Sequence, residues 1–191
     1  NQQGVGPIFS PKSTNALIIT YVSTIDVYKH QIEVLRALSA LRDEGLNLDL
    51  NLIGPAYHSY HVKVGEVQME VDPKSVWVRY HGSLAHEEIA KILKKSDIGI
   101  FASSCENFPN ILLEKMATGL PLVCSNCPPM DDILGPKGFF FDPFDSVSIR
   151  SAVRALISDP NKADELARAG RQRAAGYTWK RCADLTFSYL S

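Results

Sequence analysis

From Ala16 onward, short β-rich apolar runs alternate with helix-length amphipathic segments. That alternation constrains the fold most, because parallel strands need a crossover of roughly a dozen residues or more, usually a helix. Ala16–Val22 shows little polar alternation, as a strand buried on both faces does. Val27–Glu44 keeps Val34, Leu38 and Leu41 at i, i+4 and i+7 and meets a helix stop at Gly45. Leu48–Ile53, Val76–Tyr80, Asp97–Ala102, Pro121–Cys124 and Gly138–Phe141 are the other strand candidates. Tyr57–Val71 is ambiguous and reads as helix, as do His86–Lys95 and Pro109–Thr118, the last stopped by Gly119. Helices over Val147–Ile157, Lys162–Ala174 and Trp179–Tyr189 close the chain. The order predicts an α/β fold: a doubly wound parallel sheet of about six strands with helices on both faces. One domain is expected over 1–191, with 1–15 a partly extended lead-in.

Composition narrows the function. Hydrophobic residues make up 45% and charged residues 21%, which excludes intrinsic disorder. Twenty Lys and Arg against 21 Asp and Glu give a net charge of -1, which argues against non-specific nucleic-acid binding but leaves room for a local basic site for one small anion. Apolar runs such as Ile98–Ala102 are too short to span a bilayer, and no signal-like segment opens the chain. A cytoplasmic protein is expected, with the inner face of a membrane as the alternative. Asn1 in place of Met suggests a fragment whose true start is missing. Cys124 and Cys127 form a C-x-x-C, but it closes an apolar strand and runs into Pro128-Pro129, so reduced thiols are expected rather than a redox or zinc pair. His58 and His61 find no carboxylate or cysteine to complete a metal set, and Asp131-Asp132 is not a spaced D-x-D. No metal and no other cofactor is expected.

In doubly wound sheets ligands bind beyond the carboxyl ends of the strands. Those ends carry Ser23-Thr24, Gly54, His81-Gly82, Ser103 to Glu106, and Ser125-Asn126. Ordinary turn chemistry covers Gly54, Ser125 and Asn126. The informative stretch is Ser103 to Val123. Glu106 lies in a loop ahead of a helix that Pro109 can open, since proline suits the first helical position. Asn110, Ile111 and Leu112 would then present N–H groups at the positive end of a helix dipole, which suits phosphate. Glu114 shares a helical face with Asn110, and a carboxylate there can accept two hydrogen bonds from neighbouring hydroxyls of a ribose or pyranose. Alone, each acid reads as an ordinary helix-start residue. Lys29, placed in the first turn of the first helix where a cation is disfavoured, is easier to understand beside an anion. His30 beside Lys29 could face the phosphates, but a histidine at a helix start reads first as solvated.

The segment as a whole resembles the E-x7-E signature of the family 4, or group 1, retaining glycosyltransferases. It runs from Glu106 to Glu114 and continues Lys-Met-Ala-Thr-Gly-Leu-Pro-Leu-Val, similar to the family's E-A-M-A-x-G-x-P-V. Val78–Gly82, His86–Asp97 and Gly138–Asp145 resemble further family elements, in consistent order over about residues 16 to 190. The resemblance implies one Rossmann-like half of a GT-B architecture, the C-terminal donor-binding domain, with the acceptor domain outside this chain. It implies that Glu106 contacts the transferred sugar at the reaction centre and that Glu114 holds the ribose diol. Backbone groups from Asn107 through Phe108 and Asn110 to Ile111 would meet sugar and diphosphate, and the base would lie near His81, Gly82 and Ser83. The loop Ser23 to Lys29 matches an element that usually carries an Arg and a Lys on the diphosphate; Lys29 keeps the second position, but Thr24 replaces the Arg. Asn107-Phe108-Pro109 departs from the commoner G-F-G, and Pro109 has no N–H to offer. The final helix would run back toward the other domain.

The implied function is retaining transfer of a hexose from a UDP- or GDP-type donor to a glycan, lipid or other acceptor in glycan or polysaccharide biosynthesis. Nucleic acid is not an expected partner, and peripheral membrane association would come through the other domain. A nucleotide-sugar epimerase or hydrolase of the same architecture is an alternative. An NAD-dependent oxidoreductase is disfavoured, because the loop after the first strand has no G-x-G-x-x-G.

Overall fold

In a computed structural model, residues 16–56 and 59–190 are described. Six strands form one parallel sheet: β1 (Leu17–Val22), β2 (Leu48–Ile53), β3 (Val78–Tyr80), β4 (Ile98–Phe101), β5 (Leu122–Ser125) and β6 (Phe139–Phe141). Their order across the sheet is β3-β2-β1-β4-β5-β6. The doubly wound sheet expected from the sequence is therefore present, and the order reverses direction between β1 and β4.

Side chains of successive strand residues point to opposite faces, and here both faces are apolar. Ile98, Ile100 and Ala102 join one core cluster with Leu35, Leu38, Ile149 and Val153. Phe101 joins the other, with Leu112, Met116, Leu122 and Cys124. Helices α1 (Gln31–Asp43), α2 (Tyr60–Val71) and α6 (Ser146–Ser158) contribute to the first cluster. Helices α3 (His86–Lys95), α4 (Asn110–Thr118) and α5 (Met130–Leu134) contribute to the second. A further helix, α7 (Pro160–Ala174), packs on α4, and α8 (Trp179–Leu190) is the last described element. Asp145 caps α6 by accepting from the Val147 N–H at 2.8 Å, and Asp159 caps α7 by accepting from Lys162 at 3.0 Å.

Three expectations need correction. The helix expected over Val27–Glu44 is broken: a 3-10 turn covers Val27–Lys29, His30 is left-handed at φ 50°, and α1 starts at Gln31. Tertiary contacts impose the break, since the Tyr21 hydroxyl donates to the Lys29 carbonyl at 2.6 Å. Pro109 is the residue before α4 rather than its first turn, with ψ at 76°, outside the helical region. Helix α5 was not expected, because five residues beside Pro128-Pro129 show no period. Gly45 and Gly119 do end their helices at positive φ, 94° and 76°. The lead-in 1–15, and Tyr57 and His58 of the ambiguous helix, lie outside the described residues.

Candidate functional site

The reversal between β1 and β4 opens the crevice, since crossovers leave these two strands toward opposite faces. Past the strand ends, β1 and β2 stay paired: Ser23 N–H donates to Ile53 O at 2.8 Å and Ile25 N–H to Pro55 O at 2.8 Å. Gly54 is required there, because a Cβ at its φ of 142° would sit 2.0 Å from the Ser23 carbonyl oxygen. Its N–H donates to Gly82 O at 2.9 Å, so Ser23, Gly54 and Gly82 form one layer of backbone at the sheet's carboxyl edge.

Gln31 fixes the first loop. Its side-chain amide donates to Ser23 Oγ at 3.0 Å and to Thr24 O at 2.8 Å. Ser23 is buried, Thr24 half-buried. Lys29 is buried too, and its ammonium forms an ion pair with Glu106 from the loop after β4. The two side chains are 10% and 15% exposed. The Tyr28 and Phe101 ring centroids lie 4.8 and 5.6 Å from the same ammonium, close enough for cation–π attraction. Residues that are 77 positions apart thus meet at the crevice. Lys29 does not occupy the first turn of a long helix, so a helix dipole is not what sets it against an anion; the Glu106 carboxylate is the anion. His30 is not solvated either. It is buried, its Nε2 lies 2.8 Å from Ser104 Oγ, and its ring contacts Phe144.

Glu114 stands apart from this pair. It lies in α4, 38% exposed, with His86 Nε2 from the start of α3 at 3.7 Å. Asn107, Phe108 and Asn110 are exposed and Ile111 is half-buried. The start of α4 offers fewer free donors than the sequence suggests, since Asn110 N–H goes to Phe108 O at 3.0 Å and Leu112 N–H to Pro109 O at 2.9 Å. Phe108 stacks obliquely near Tyr177 at 5.9 Å and, with Asn110, lines a separate groove of about 940 Å³ against the end of α7 and the start of α8. Neither Lys29 nor either glutamate lines that groove.

On the far side of β1, His81 Nε2 sits 2.8 Å from Asn51 Oδ1. Burial and the nearby Arg79 hold the imidazole below its usual pKa, favouring the neutral form. Gly82 is left-handed at φ 65° with open space around it, and Ser83 is exposed. A small planar group could approach this turn.

The sequence reading missed Lys115. This lysine is completely buried, its ammonium donates to Ile100 O, and the Tyr21 and Phe101 ring centroids lie 5.2 and 5.6 Å away. Burial pushes its pKa down to about 7, with Lys29 adding to the effect and Cys124 and Glu114 opposing it. Its i+3 spacing from buried Leu112 was the available signal. The cysteines are free, with Cys124 buried on β5. Among the described residues, no group of three or more His, Cys, Asp or Glu could hold a metal ion.

A doubly wound parallel sheet with a largely buried Lys–Glu pair at its switch point places the chain among the Rossmann-like α/β domains. Sequence comparison narrows the class: the profile of glycosyl transferases group 1 matches residues 8–173, and the chain belongs to that family. It is similar to O-antigen chain mannosyltransferase B of Escherichia coli, 24% identical over 88% of this chain and 44% of that protein. Among solved structures it resembles sucrose-phosphate synthase from Thermosynechococcus elongatus, with a TM-score of 0.79 and 22% identity over 92% of this chain and 44% of that one. A trehalose-6-phosphate structure from E. coli, bound with UDP-2-fluoro glucose, matches with a TM-score of 0.81 and 16% identity over 92% and 44%. These likenesses show the Rossmann-like fold found in GT-B glycosyltransferases, and the chain spans under half the length of these proteins.

Proposed function

We propose that this chain is the donor half of a retaining glycosyltransferase. It holds a nucleoside-diphosphate hexose of UDP or GDP type, while a second domain outside the chain supplies the acceptor. The observation that carries the reading is the meeting of Lys29 and Glu106 at the switch point, with Glu114 beyond them in α4. Lys29 would engage the diphosphate and, with the start of α4, stabilise the charge that builds on it as the bond to the sugar breaks. Glu106 would hold the transferred sugar through its hydroxyls, and Glu114 would accept from the ribose diol. His81, Gly82 and Ser83 would face the base, and backbone from Asn107 to Ile111 would flank the sugar. The family membership and the UDP-sugar bound in one structural relative support this assignment.

The charge work is assigned to Lys29 and backbone dipoles, so the proposal needs no metal. The acceptor would be a glycan, a lipid or another hydroxyl-bearing molecule. No helix among the described residues is long and apolar enough to cross a membrane. Calorimetric titration of the chain with UDP, GDP, ADP and NAD tests the reading. Saturable binding of UDP or GDP without added metal, and no binding of NAD, is expected. NAD binding without diphosphate binding would contradict it.

A further inference from the structure

Read from sequence, Glu106 has no partner but the sugar, so removing its charge should hardly alter binding of a bare diphosphate. The structure gives it another partner. Its carboxylate is paired with Lys29, and both side chains are largely withdrawn from water. The Tyr28 and Phe101 rings border the ammonium, and Tyr21 anchors the Lys29 backbone. Within the loop 23–29, Lys29 is the only cation.

We infer that the Lys29–Glu106 pair makes this crevice select a sugar-bearing nucleoside diphosphate over the bare diphosphate, with Glu106 as the discriminating residue. The inference rests on the donor-site reading above. A diphosphate reaching Lys29 must take the ammonium away from Glu106. A bare diphosphate gives nothing back: it strands a mostly buried carboxylate without its counter-charge and brings more negative charge beside it. A donor with its sugar attached supplies hydroxyls that donate to the carboxylate oxygens, replacing the lost partner with hydrogen bonds to a charged acceptor. Partner exchange is therefore cheap for the intact donor and costly for the bare diphosphate. The same asymmetry acts after transfer. Once the sugar has left, Glu106 competes for Lys29 and favours release of the diphosphate.

The test measures four probes, UDP with UDP-glucose and GDP with GDP-mannose, on the parent chain and on Glu106→Gln. Glutamine keeps the size and removes the charge. Bare diphosphate should bind about tenfold more tightly to the variant, the scale of one charge-assisted contact. The sugar form should bind no more tightly, so its advantage over the bare form collapses. Glu106→Asp, which keeps the charge on a shorter arm, should lower that advantage part way and guards against a folding defect in the first variant. If the parent binds both members of a pair and Glu106→Gln leaves their ratio unchanged, the inference fails while the donor-site reading stands. If the parent binds none of the four, the donor-site reading fails and takes the inference with it.

Discussion

The two acids of the E-x7-E segment are the same residue type on one short stretch of chain, yet they occupy opposite environments. Glu106 is 15% exposed and paired with Lys29; Glu114 is 38% exposed, with His86 at 3.7 Å. The Glu106 end of the crevice is thus filled by the protein's own charges, whereas the Glu114 end lies open to a ligand. A ligand must displace an interaction at one end and merely add one at the other. Substitutions at the two ends should therefore differ in kind, not only in size.

The largest effect is expected at Lys29. Lys29→Ala leaves Glu106 unpaired in a mostly buried place, so the fold should lose roughly 3 kcal/mol or more; it also removes the cation for the diphosphate, so nucleotide-sugar affinity should fall by about 1.5–3 kcal/mol. Calorimetry of the variant checks this, and parent-like binding would detach the filled end from the site. Glu114→Gln should weaken nucleotide binding by about 1.5–3 kcal/mol, with fold stability scarcely changed, because its contact with His86 at 3.7 Å is largely exposed and worth little. Thermal melts beside the titrations separate the two effects, and a large drop in melting temperature would show that Glu114 is not the open end.

Lys115 follows Glu114 in sequence but faces inward, with its ammonium against the Tyr21 and Phe101 rings. With its pKa near 7 when folded, against an ordinary 10.5, unfolding takes up a proton between those values. Stability attributable to this group therefore rises with pH from about 7 to 10.5 and is lowest at and below pH 7. Lys115→Met should stabilise the fold by on the order of 2 kcal/mol at pH 6 and by little near pH 10. Denaturant titrations across that range check it; an equal change at both ends would mean that folding does not lower the pKa of this lysine. The smallest effect is expected from Thr24→Arg. It gives the filled end a cation that is not already paired, so diphosphate affinity should rise about tenfold and the gain should shrink with salt. No gain at low salt would place Thr24 away from the diphosphate.

Much of the fold was legible because its signals are local. Leu48–Ile53 and His86–Lys95 were read to the residue, since an apolar run ending at Gly54-Pro55 and a charged helix with one apolar stripe leave little choice. The site was legible only as a set of residue types. Nothing local shows that Lys29 would leave its helix, because the break depends on Tyr21 and on a glutamate 77 positions away. His30 was read as solvated because its partner, Ser104, lies in a distant loop. Lys115 looked like any helix-surface lysine; only its register with Leu112 and Met116, both buried, points inward. These misreadings share a cause: each residue takes its environment from the loop after β4 or the β1–β4 core, which sequence spacing does not bring near.

The most direct measurement is a crystal structure of this chain with UDP or GDP bound. The account predicts the ribose hydroxyls within hydrogen-bond reach of Glu114, a phosphate oxygen on the Lys29 ammonium, and Glu106 drawn off that ammonium. A nucleotide bound elsewhere, such as in the groove beside Phe108 and Tyr177, with the Lys29–Glu106 pair intact, would contradict it.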